Sequence, residues 1–296
     1  GKYRHLPPFL LLNEMKGSQS TVNKRCLGPL HNLEKYVKPD WWQHIFNSIY
    51  LKTDADVVCD LNTTREEVSL FSSILGLSHE DRILDLCCGQ GRHSLELARL
   101  GFMNIDGLDR SHYLIQKARI KAREEGLKVK FREGDARKLP YPDNSFSVVM
   151  ILGNSFGYFE NIKDDLRVLK EVFRVLKPLG RILIDVADGK YLKENFEPRS
   201  WEWIDKKHFV CRERCLSSDK GRLISREVVV HVERGVVVDQ FYAERLYTRE
   251  SLKKLLEEAG FGSINFHGGI ITDSKRNQDL GMMKKRIVVT ALVERR

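Results

Sequence analysis

Apolar positions along the middle of the chain follow two alternating spacings. Short apolar runs predict buried strands at 82–87, 105–108, 129–132, 146–152 and 181–186. Between them, apolar residues three and four positions apart predict helices at 64–75, 92–100, 111–126 and 164–176. Because strands and helices alternate in this way, the sequence predicts an α/β fold with a mostly parallel sheet that is covered by helices on both faces.

The spacing of apolar positions changes after Asp188. Three extended segments follow one another at 209–216, 223–233 and 236–247, with turn sequences at 219–221 and 233–235. Their order predicts an antiparallel β insertion after the fifth strand, within residues 195–247. A helix from Thr248 to Gly260 and strands at 264–271 and 286–293 then complete a sheet of seven strands.

The first 63 residues lack this alternation of strands and helices. Residues 1–30 mix Pro, Gly, Ser, Asn and basic residues without a sustained period, so we expect an arm without its own core. Aromatic residues at spacings that suit short helices then follow at Tyr36, Trp41, Trp42, Phe46 and Tyr50. Thr64 and Glu67 form a capping-box pattern, which indicates that a helix and the core domain, 64–296, begin there. Residues 1–63 are interpreted as an arm and an aromatic cap.

Composition and charge fit a folded protein and do not single out a partner. Hydrophobic residues make up 42% of the chain and charged residues 31%, which excludes a mostly disordered protein. The net charge of +9 would suit a nucleic acid, but the basic residues are scattered among 41 acids, so we favour a solvated basic surface. No apolar run approaches the ~20 residues that cross a membrane.

The cysteines give no sign of a disulfide scaffold or a metal site. They lie at positions 26, 59, 87, 88, 211 and 215, without a repeated pair pattern. Cys211 and Cys215 would share one face of a predicted strand, yet no second pair completes a zinc set. We therefore predict no metal, and a reducing, cytoplasmic setting.

The first candidate for chemistry is the junction of a strand, a glycine-containing turn and a helix at 83–93. Glycines there allow the backbone to approach a ligand, and the amides at the start of the helix face it. The next strand ends at Asp109, whose carboxylate can accept hydrogen bonds from two ribose hydroxyls. Both features also occur in dinucleotide dehydrogenases, and each alone could be a plain turn or a solvated aspartate.

A third motif separates these alternatives. Asp135 and Ala136 follow the third strand, where a carboxylate can accept from an adenine amino group and an amide can donate to a ring nitrogen. Dehydrogenases carry no such expectation. Asp85, Asp109 and Asp135 in this order therefore favour S-adenosylmethionine over a nicotinamide cofactor.

With these motifs, the stretches 144–149, 171–181 and 255–261 make the chain resemble the Rossmann-like class I methyltransferases. The likeness is greatest to the small-molecule branch related to ubiquinone and menaquinone biosynthesis methyltransferases. It covers 82–187 and, more loosely, 248–293, but neither the first 60 residues nor the β insertion. The resemblance implies an enzyme that uses S-adenosylmethionine and releases S-adenosylhomocysteine.

The resemblance also implies which residues hold the cofactor. Asp85, Gly89 and Gly91 would face its methionine part, Asp109 its ribose, and Asp135 with Ala136 its adenine. The full implied set is Asp85, Cys87, Gly89, Gly91, Asp109, Arg110, Asp135, Ala136, Leu152, Gly153 and Asn154. Cys87 stands where the family has its first loop glycine, and we expect its thiol to be buried and inert.

The residues that contact the acceptor are less determined. The candidates are Trp41, Trp42, His93, Phe156, Tyr158 and Tyr242. The aromatic side chains, together with Phe159, could shape an acceptor pocket or pack the core, and the two tryptophans could close the cleft or dock the cap. His231 and His267 are further candidates for a base. The two prolines that exocyclic-amine nucleic-acid methyltransferases carry after Asn154 are absent, which argues against adenine N6 chemistry.

Three functions remain compatible with the sequence. Methyl transfer from a sulfonium is an in-line displacement, so an amine or thiolate acceptor needs mainly positioning, whereas a hydroxyl or carbon acid needs a base. We favour a small-molecule acceptor, because the cap and the β insertion can wall off a compact pocket. An RNA or protein methyltransferase and a non-catalytic cofactor-binding regulator stay open. The insertion is expected to roof the acceptor pocket, although its surface could instead pair two subunits of a homodimer.

Overall fold

A computed structural model describes residues 26–268, 270–272 and 283–295, and two β-sheets organise them. The strands are β1 (Ile83–Leu86), β2 (Ile105–Asp109), β3 (Val129–Glu133), β4 (Phe146–Ile151), β5 (Leu176–Ala187), β6 (Arg199–Trp203), β7 (His208–Leu216), β8 (Arg222–His231), β9 (Gly235–Arg245), β10 (Gly262–His267) and β11 (Arg286–Leu292). Most of the predicted N-terminal arm, residues 1–25, lies outside the described residues.

The larger sheet confirms the predicted α/β fold. Within the described residues its seven strands follow the order β10-β11-β5-β4-β1-β2-β3. β1 to β5 are parallel, whereas β11 is antiparallel to β5 and β10 to β11. The order reverses between β1 and β4, and in such sheets ligands bind in the crevice beyond the carboxyl ends of the strands at that point.

Helices surround this sheet and also form the N-terminal cap. They are α1 (Tyr50–Thr53), α2 (Ala55–Val58), α3 (Leu61–Leu75), α4 (Arg92–Arg99), α5 (His112–Glu124), α6 (Ile162–Val175), α7 (Gly189–Asn195) and α8 (Arg249–Glu258), preceded by 3₁₀ turns at Leu33–Tyr36 and Trp41–Gln43. Ser111 begins α5 as predicted, because its Oγ accepts a hydrogen bond from the Leu114 amide. Thr248 begins α8 through a reciprocal pair of hydrogen bonds with Ser251.

Two predicted helix ends are wrong. α3 begins at Leu61 and not at Thr64, because Asp60 accepts from the Thr63 amide at 2.6 Å and caps the helix a turn earlier. Glu67 is therefore buried inside α3 and does not act in a capping box. The helix predicted at 164–176 is also misplaced at its end, because α6 stops at Val175, and Leu176 is already extended and begins β5.

The core packs against both faces of the larger sheet, as the sequence pattern predicts. Leu84 and Leu86 of β1 face the helices α6 and α8, whereas Val148 and Met150 of β4 point to the other face, against α3. Every residue of β1 is buried. The loops at the carboxyl ends of these strands therefore stand on a fixed base.

The smaller sheet is the predicted antiparallel insertion, in the order β6-β7-β8-β9, and is called the meander below. The three predicted extended segments are confirmed as β7, β8 and β9. β6 and α7 were not predicted, because β6 alternates exposed Trp201 and Trp203 with partly buried residues over only five positions. The meander leaves the core after β5 and α7, and returns to it at α8.

Candidate active site

A large cavity lies at the carboxyl ends of β1, β2, β3 and β4. The loops of the core form one wall, the turns and short helices between Trp41 and Val58 form a second, and the meander forms a third. Of the implied cofactor residues, the cavity is lined by Cys87, Gly89, Asp109, Arg110, Asp135, Ala136, Leu152, Gly153 and Asn154. Of the acceptor candidates it is lined by Trp41, Trp42, His93, Phe156, Tyr158 and Tyr242.

The loop after β1 is a tight turn whose backbone faces the cavity. Cys87, Gly89 and Gly91 have φ values of 62°, 56° and 76°, in the left-handed region that glycine adopts most easily. A Cβ built on Gly89 would meet only Leu114, at 3.8 Å, so the backbone there has open space before it. Burial raises the pKa of the Cys87 thiol well above its usual value, which keeps it protonated and a poor nucleophile.

Asp109 is fixed at the cavity wall by backbone amides. Its Oδ2 accepts from the Gly89 amide at 2.8 Å and its Oδ1 from the Ser111 amide at 2.7 Å. Burial raises the pKa of this carboxyl, and the amides of Ser111 and Gly89 oppose that shift by stabilising the charged form. Each carboxylate oxygen keeps a second lone pair that a ligand can use.

Asp135 lines the cavity after β3 and forms an ion pair with Arg137. The Arg137 Nη2 lies 2.7 Å from Asp135 Oδ2, and the same guanidinium lies over the rings of Phe159 and Trp42. Burial raises the Asp135 pKa, but the hydrogen bonds from Arg137 outweigh burial and hold it below its usual value. The carboxylate thus stays charged, and Arg137 joins this corner to the cap.

Asp85 and Gly91 lie behind the loop and are not part of the cavity lining. Asp85 is buried, and its Oδ2 accepts from the Ser94 hydroxyl at 2.6 Å. Burial raises its pKa to about 6. Gly91 caps α4, and a Cβ there would lie 2.5 Å from Cζ of Phe131. Both residues hold the loop in place from behind.

The turn after β4 connects the core to the meander. Asn154 has a φ of 59°; its Oδ1 accepts from the Ala187 amide at 2.9 Å, and its Nδ2 donates to Glu244 Oε1 at 3.0 Å. The amide of Gly153 donates to Asp185 Oδ2 at 2.9 Å. These bonds satisfy the buried polar groups of a turn at the crevice between β1 and β4.

A buried cluster of charges lies behind this turn. Glu67 accepts hydrogen bonds from Arg92, His93 and Arg286, and Arg286 also contacts Asp185 at 2.6 Å. Burial, then the charge of Arg92, lowers the pKa of His93 to about 4 despite its contact with Glu67. The imidazole is therefore neutral at neutral pH, and its Nε2 is already occupied by Glu67. His93 is positioned as a structural group at the cavity wall and is a weak base.

Aromatic rings form the wall that the cap presents to the cavity. The Trp41 ring lies 5.2 Å from Tyr158 and 5.8 Å from Tyr242, and Phe46 stacks on Tyr158 at 5.6 Å. Trp41 is only 4% exposed. The rings therefore dock the cap to the core and the meander while they also line the cavity.

The two other histidine candidates lie away from the cavity. The His231 ring is 4.8 Å from His208 in the meander, and His267 Nε2 is 2.7 Å from the Thr290 hydroxyl in the larger sheet. Cys211 and Cys215 are free thiols on β7. Over the described ranges, no group of three or more His, Cys, Asp or Glu side chains could hold a metal ion, and no helix is long and apolar enough to cross a membrane.

Comparisons with known proteins agree with this geometry. A family model described as a methyltransferase domain matches residues 83–180, which run from β1 into β5. The putative methyltransferase YqeM of Bacillus subtilis is 30% identical over 188 residues, covering 62% of this chain and 75% of that protein. The chain belongs to the S-adenosylmethionine-dependent methyltransferases.

Two further comparisons concern the fold of this methyltransferase and the branch of the family that it resembles. A demethylmenaquinone methyltransferase of Lactococcus lactis is 38% identical over 152 residues, so the match spans 48% of this chain and about half, 56%, of that protein. The crystal structure of an S-adenosylmethionine-dependent methyltransferase from Clostridium acetobutylicum has the same fold, with a TM-score of 0.65 at 22% identity, covering 83% of this chain and 96% of that one. The Rossmann-like class I fold is thereby confirmed. The cofactor follows from the family to which the chain belongs, the S-adenosylmethionine-dependent methyltransferases.

Sequence analysis named only Tyr242 from the meander and missed the charged and polar side chains that the meander contributes to the methyltransferase cavity. Arg212 and Arg214 on β7, Glu227 on β8, and Gln240 and Glu244 on β9 all line it. Their signal in the sequence was the spacing of two along each strand, which places such residues on one face of a sheet. Several of these charged side chains are buried, so this face points inward.

Proposed function

We propose that this methyltransferase transfers the methyl group of S-adenosylmethionine to a small molecule that binds between the aromatic cap and the meander. The observation that carries the proposal is the continuity of one cavity from the strand ends of the core to the inner face of the meander. Ligand pockets are closed, mostly apolar clefts with a few placed polar groups, which describes this space better than an open basic groove for nucleic acid.

The residues at the strand ends fit the cofactor. We propose that Asp109 accepts hydrogen bonds from the ribose hydroxyls and that Asp135 and the Ala136 amide hold the adenine edge. The open backbone at Gly89 gives room for the methionine part. When bound, S-adenosylmethionine supplies a methyl group that its sulfonium makes electrophilic. The neighbouring carboxylates, among them Asp109, suit a cationic ligand.

The cap and the meander are proposed to align the acceptor and exclude water. Trp41 and Tyr158 provide rigid apolar contact area. Asn154, in the turn after β4, fixes the meander to the core through its hydrogen bond to Glu244. Alignment of this kind converts an encounter in solution into a reaction within one site, which is the largest contribution that the protein can make to an in-line displacement.

The first test is binding. Calorimetry with S-adenosylmethionine, S-adenosylhomocysteine and NAD should show binding of the first two and none of the third, because the carboxylates of Asp109 and Asp135 in the cavity lining disfavour the anionic pyrophosphate that only NAD carries. NAD binding without S-adenosylmethionine binding would overturn the proposed cofactor site.

The second test identifies the acceptor class. The protein is incubated with S-adenosylmethionine carrying a deuterated methyl group and a cell extract separated into metabolite, RNA and protein fractions. We expect the label in the metabolite fraction, with transfer that changes little as salt is raised. Label in RNA, with the steep salt dependence of phosphate contacts, or label in protein would refute a small-molecule acceptor. Binding without any transfer would favour the non-catalytic alternative.

A further inference from the structure

The end of the cavity that faces the meander is lined by ionisable side chains. Arg212 lies between two acids there, with Nη1 2.8 Å from Glu202 Oε1 and Nε 3.0 Å from Glu227 Oε2. Asp54, from the junction of α1 and α2, and Glu244, from β9, add two further carboxyls to the same wall. Acids therefore outnumber the arginines at this end, which makes it a favourable place for a cation.

Glu244 is distinguished within this group by an unused acceptor atom. The residue is only 8% exposed and lines the cavity. Its Oε1 accepts from Asn154 Nδ2 at 3.0 Å, whereas its Oε2 is buried and has no hydrogen-bond partner among the described residues. A buried polar atom without a partner costs free energy, and a ligand that donates a hydrogen bond would remove that cost.

Glu244 lies where the side of the cavity formed by the meander meets the side formed by the core. Through Asn154 it is tied to the turn after β4, at the crevice where the core wall holds Asp109 and Gly89. Trp41, Tyr158 and Tyr242 line the same cavity, from the cap, the core and the meander, and aromatic faces attract cations. A carboxylate oxygen and aromatic rings in one enclosed space are the groups that bind an alkylammonium ion.

We propose that the acceptor is a small amine, and that Glu244 binds its ammonium group and removes the proton that blocks its nitrogen lone pair. This inference rests on the proposed small-molecule methyltransferase function and names the substrate class of that site. In the reaction, the carboxylate of Glu244 takes one N–H proton and becomes a carboxylic acid, which leaves a neutral amine. The nitrogen lone pair then forms the bond to the methyl carbon as the carbon–sulfur bond breaks. The electron pair of the broken bond stays on sulfur, and S-adenosylhomocysteine leaves.

The pKa values of the groups in the cavity fit Glu244 as the base for an ammonium group. Burial, reinforced by the charge of Asp54, raises the pKa of Glu244 to about 8, against the opposing effects of Arg214 and Asn154. An alkylammonium has a pKa near 10, as in lysine, so proton transfer to Glu244 is unfavourable by only about two pKa units, whereas transfer to an ordinary glutamate would be unfavourable by about six. Burial raises the pKa values of the two tyrosines that also face Glu244, Tyr158 and Tyr242, so both stay protonated and neither is a base. An alcohol, whose proton is about as weakly acidic as that of water, is a poor match.

The binding test uses matched probes on protein saturated with S-adenosylhomocysteine. 2-Phenylethylamine and 2-phenylethanol differ only in the amine and hydroxyl groups, and a panel of such pairs covers other carbon skeletons. We expect the amine of at least one pair to bind about ten-fold more tightly or better. In Glu244→Gln this preference should fall to within about two-fold, whereas Glu257→Gln, an exposed acid on α8, should keep it.

The outcomes separate this inference from the proposed function. If Glu244→Gln still binds S-adenosylhomocysteine like the wild type and loses the amine preference, the inference is supported. If no pair shows a preference, or if Glu244→Gln retains it, the inference is wrong while the cofactor site stands. If the wild type itself fails to bind S-adenosylhomocysteine, the proposed function is wrong.

A second measurement does not depend on any ligand. Infrared difference spectra between wild type and Glu244→Gln isolate the carboxyl band of this one residue. We expect a protonated carboxyl that titrates with a midpoint near pH 8 in the wild type and is missing in the variant. A carboxyl at this position that is fully ionised at pH 6 would show that Glu244 cannot act as the proposed base for an ammonium ion.

Discussion

Asp109 gives the cofactor site its most direct single-residue test. Its carboxylate is held by two backbone amides and faces the cavity. We expect Asp109→Ala to weaken S-adenosylhomocysteine binding by about 1.5–3 kcal/mol, because the ribose hydroxyls would lose a charged partner. Calorimetry measures this change, with Asp143→Ala as the control, since Asp143 is exposed and lies outside the cavity. Unchanged affinity in a folded Asp109→Ala protein would place Asp109 outside the ribose site.

His93 makes the stability of the protein depend on pH. Its pKa is about 4 in the folded protein because of burial and Arg92, whereas an unfolded histidine has a pKa near 6.5. As the pH falls through 6.5, the imidazole is protonated in the unfolded chain but not in the folded protein. The free energy of unfolding therefore decreases. The loss attributable to His93 begins below about pH 6.5 and is complete near pH 4.

The matching variant is His93→Gln, whose amide can still donate to Glu67. Between pH 7.5 and pH 5 we expect the wild type to lose about 2 kcal/mol more unfolding free energy than this variant. Urea unfolding of both proteins at the two pH values measures the difference, and the other titrating groups cancel in the comparison. Equal pH dependence would mean that the buried imidazole can be protonated without cost.

At the scale of elements, the sequence predicted what is encoded locally. The strand, turn and helix around Gly89 form one contiguous stretch, Asp109 ends β2 and Asp135 follows β3, so their order along the chain was sufficient to place them at the strand ends. The partners that close the site are distant in sequence. Glu67 meets Arg286 across 219 positions, and Asn154 meets Glu244 across 90. Pairings of this kind depend on the packing of whole elements, which no local pattern contains.

The cap docks on the core and the meander through the buried ring of Trp41. Trp41 is buried against Tyr158 and Tyr242, whereas Trp201 on β6 is 66% exposed. We expect Trp41→Ala to lower the unfolding free energy by about 3–5 kcal/mol, because a buried tryptophan leaves a cavity. Trp201→Ala, which removes the same side chain from an exposed site, should change it by less than about 0.5 kcal/mol. Similar losses in the two variants, measured in urea, would show that the cap is not held by this contact.

At the scale of the whole molecule, the cavity is formed on one side by the core and on the other by the cap together with the meander. The core supplies the strand ends proposed to bind the cofactor, and it is matched by the methyltransferase family model. The cap and the meander supply the wall opposite, and they pack on each other through Leu33, Ile224 and Ala243. Because the cap lies against both β9 and the turn after β4, we expect a change in the meander to affect the proposed acceptor side of the cavity more than the proposed cofactor side.

This arrangement predicts the effect of removing the meander. Replacing residues 199–244 with a flexible Gly-Ser linker keeps Arg245 and Tyr247, which bind Asp165 in the core. We expect S-adenosylhomocysteine affinity to stay within about ten-fold of the wild type, which is roughly 1.4 kcal/mol. Methyl transfer to the natural acceptor should be lost, because the wall that holds the acceptor is gone.

The same replacement tests whether the meander roofs the pocket or pairs subunits. The double variant Trp201→Ala/Trp203→Ala is the control, because it removes the exposed rings on the edge strand β6 and leaves the inner face intact. If the meander is a roof, the double variant keeps its activity and its mass in solution, and only the replacement abolishes transfer. If the edge of the meander pairs two chains, the double variant lowers the mass by half. Transfer that survives the replacement, or cofactor binding that collapses in a folded core, would show that the roof assignment is wrong.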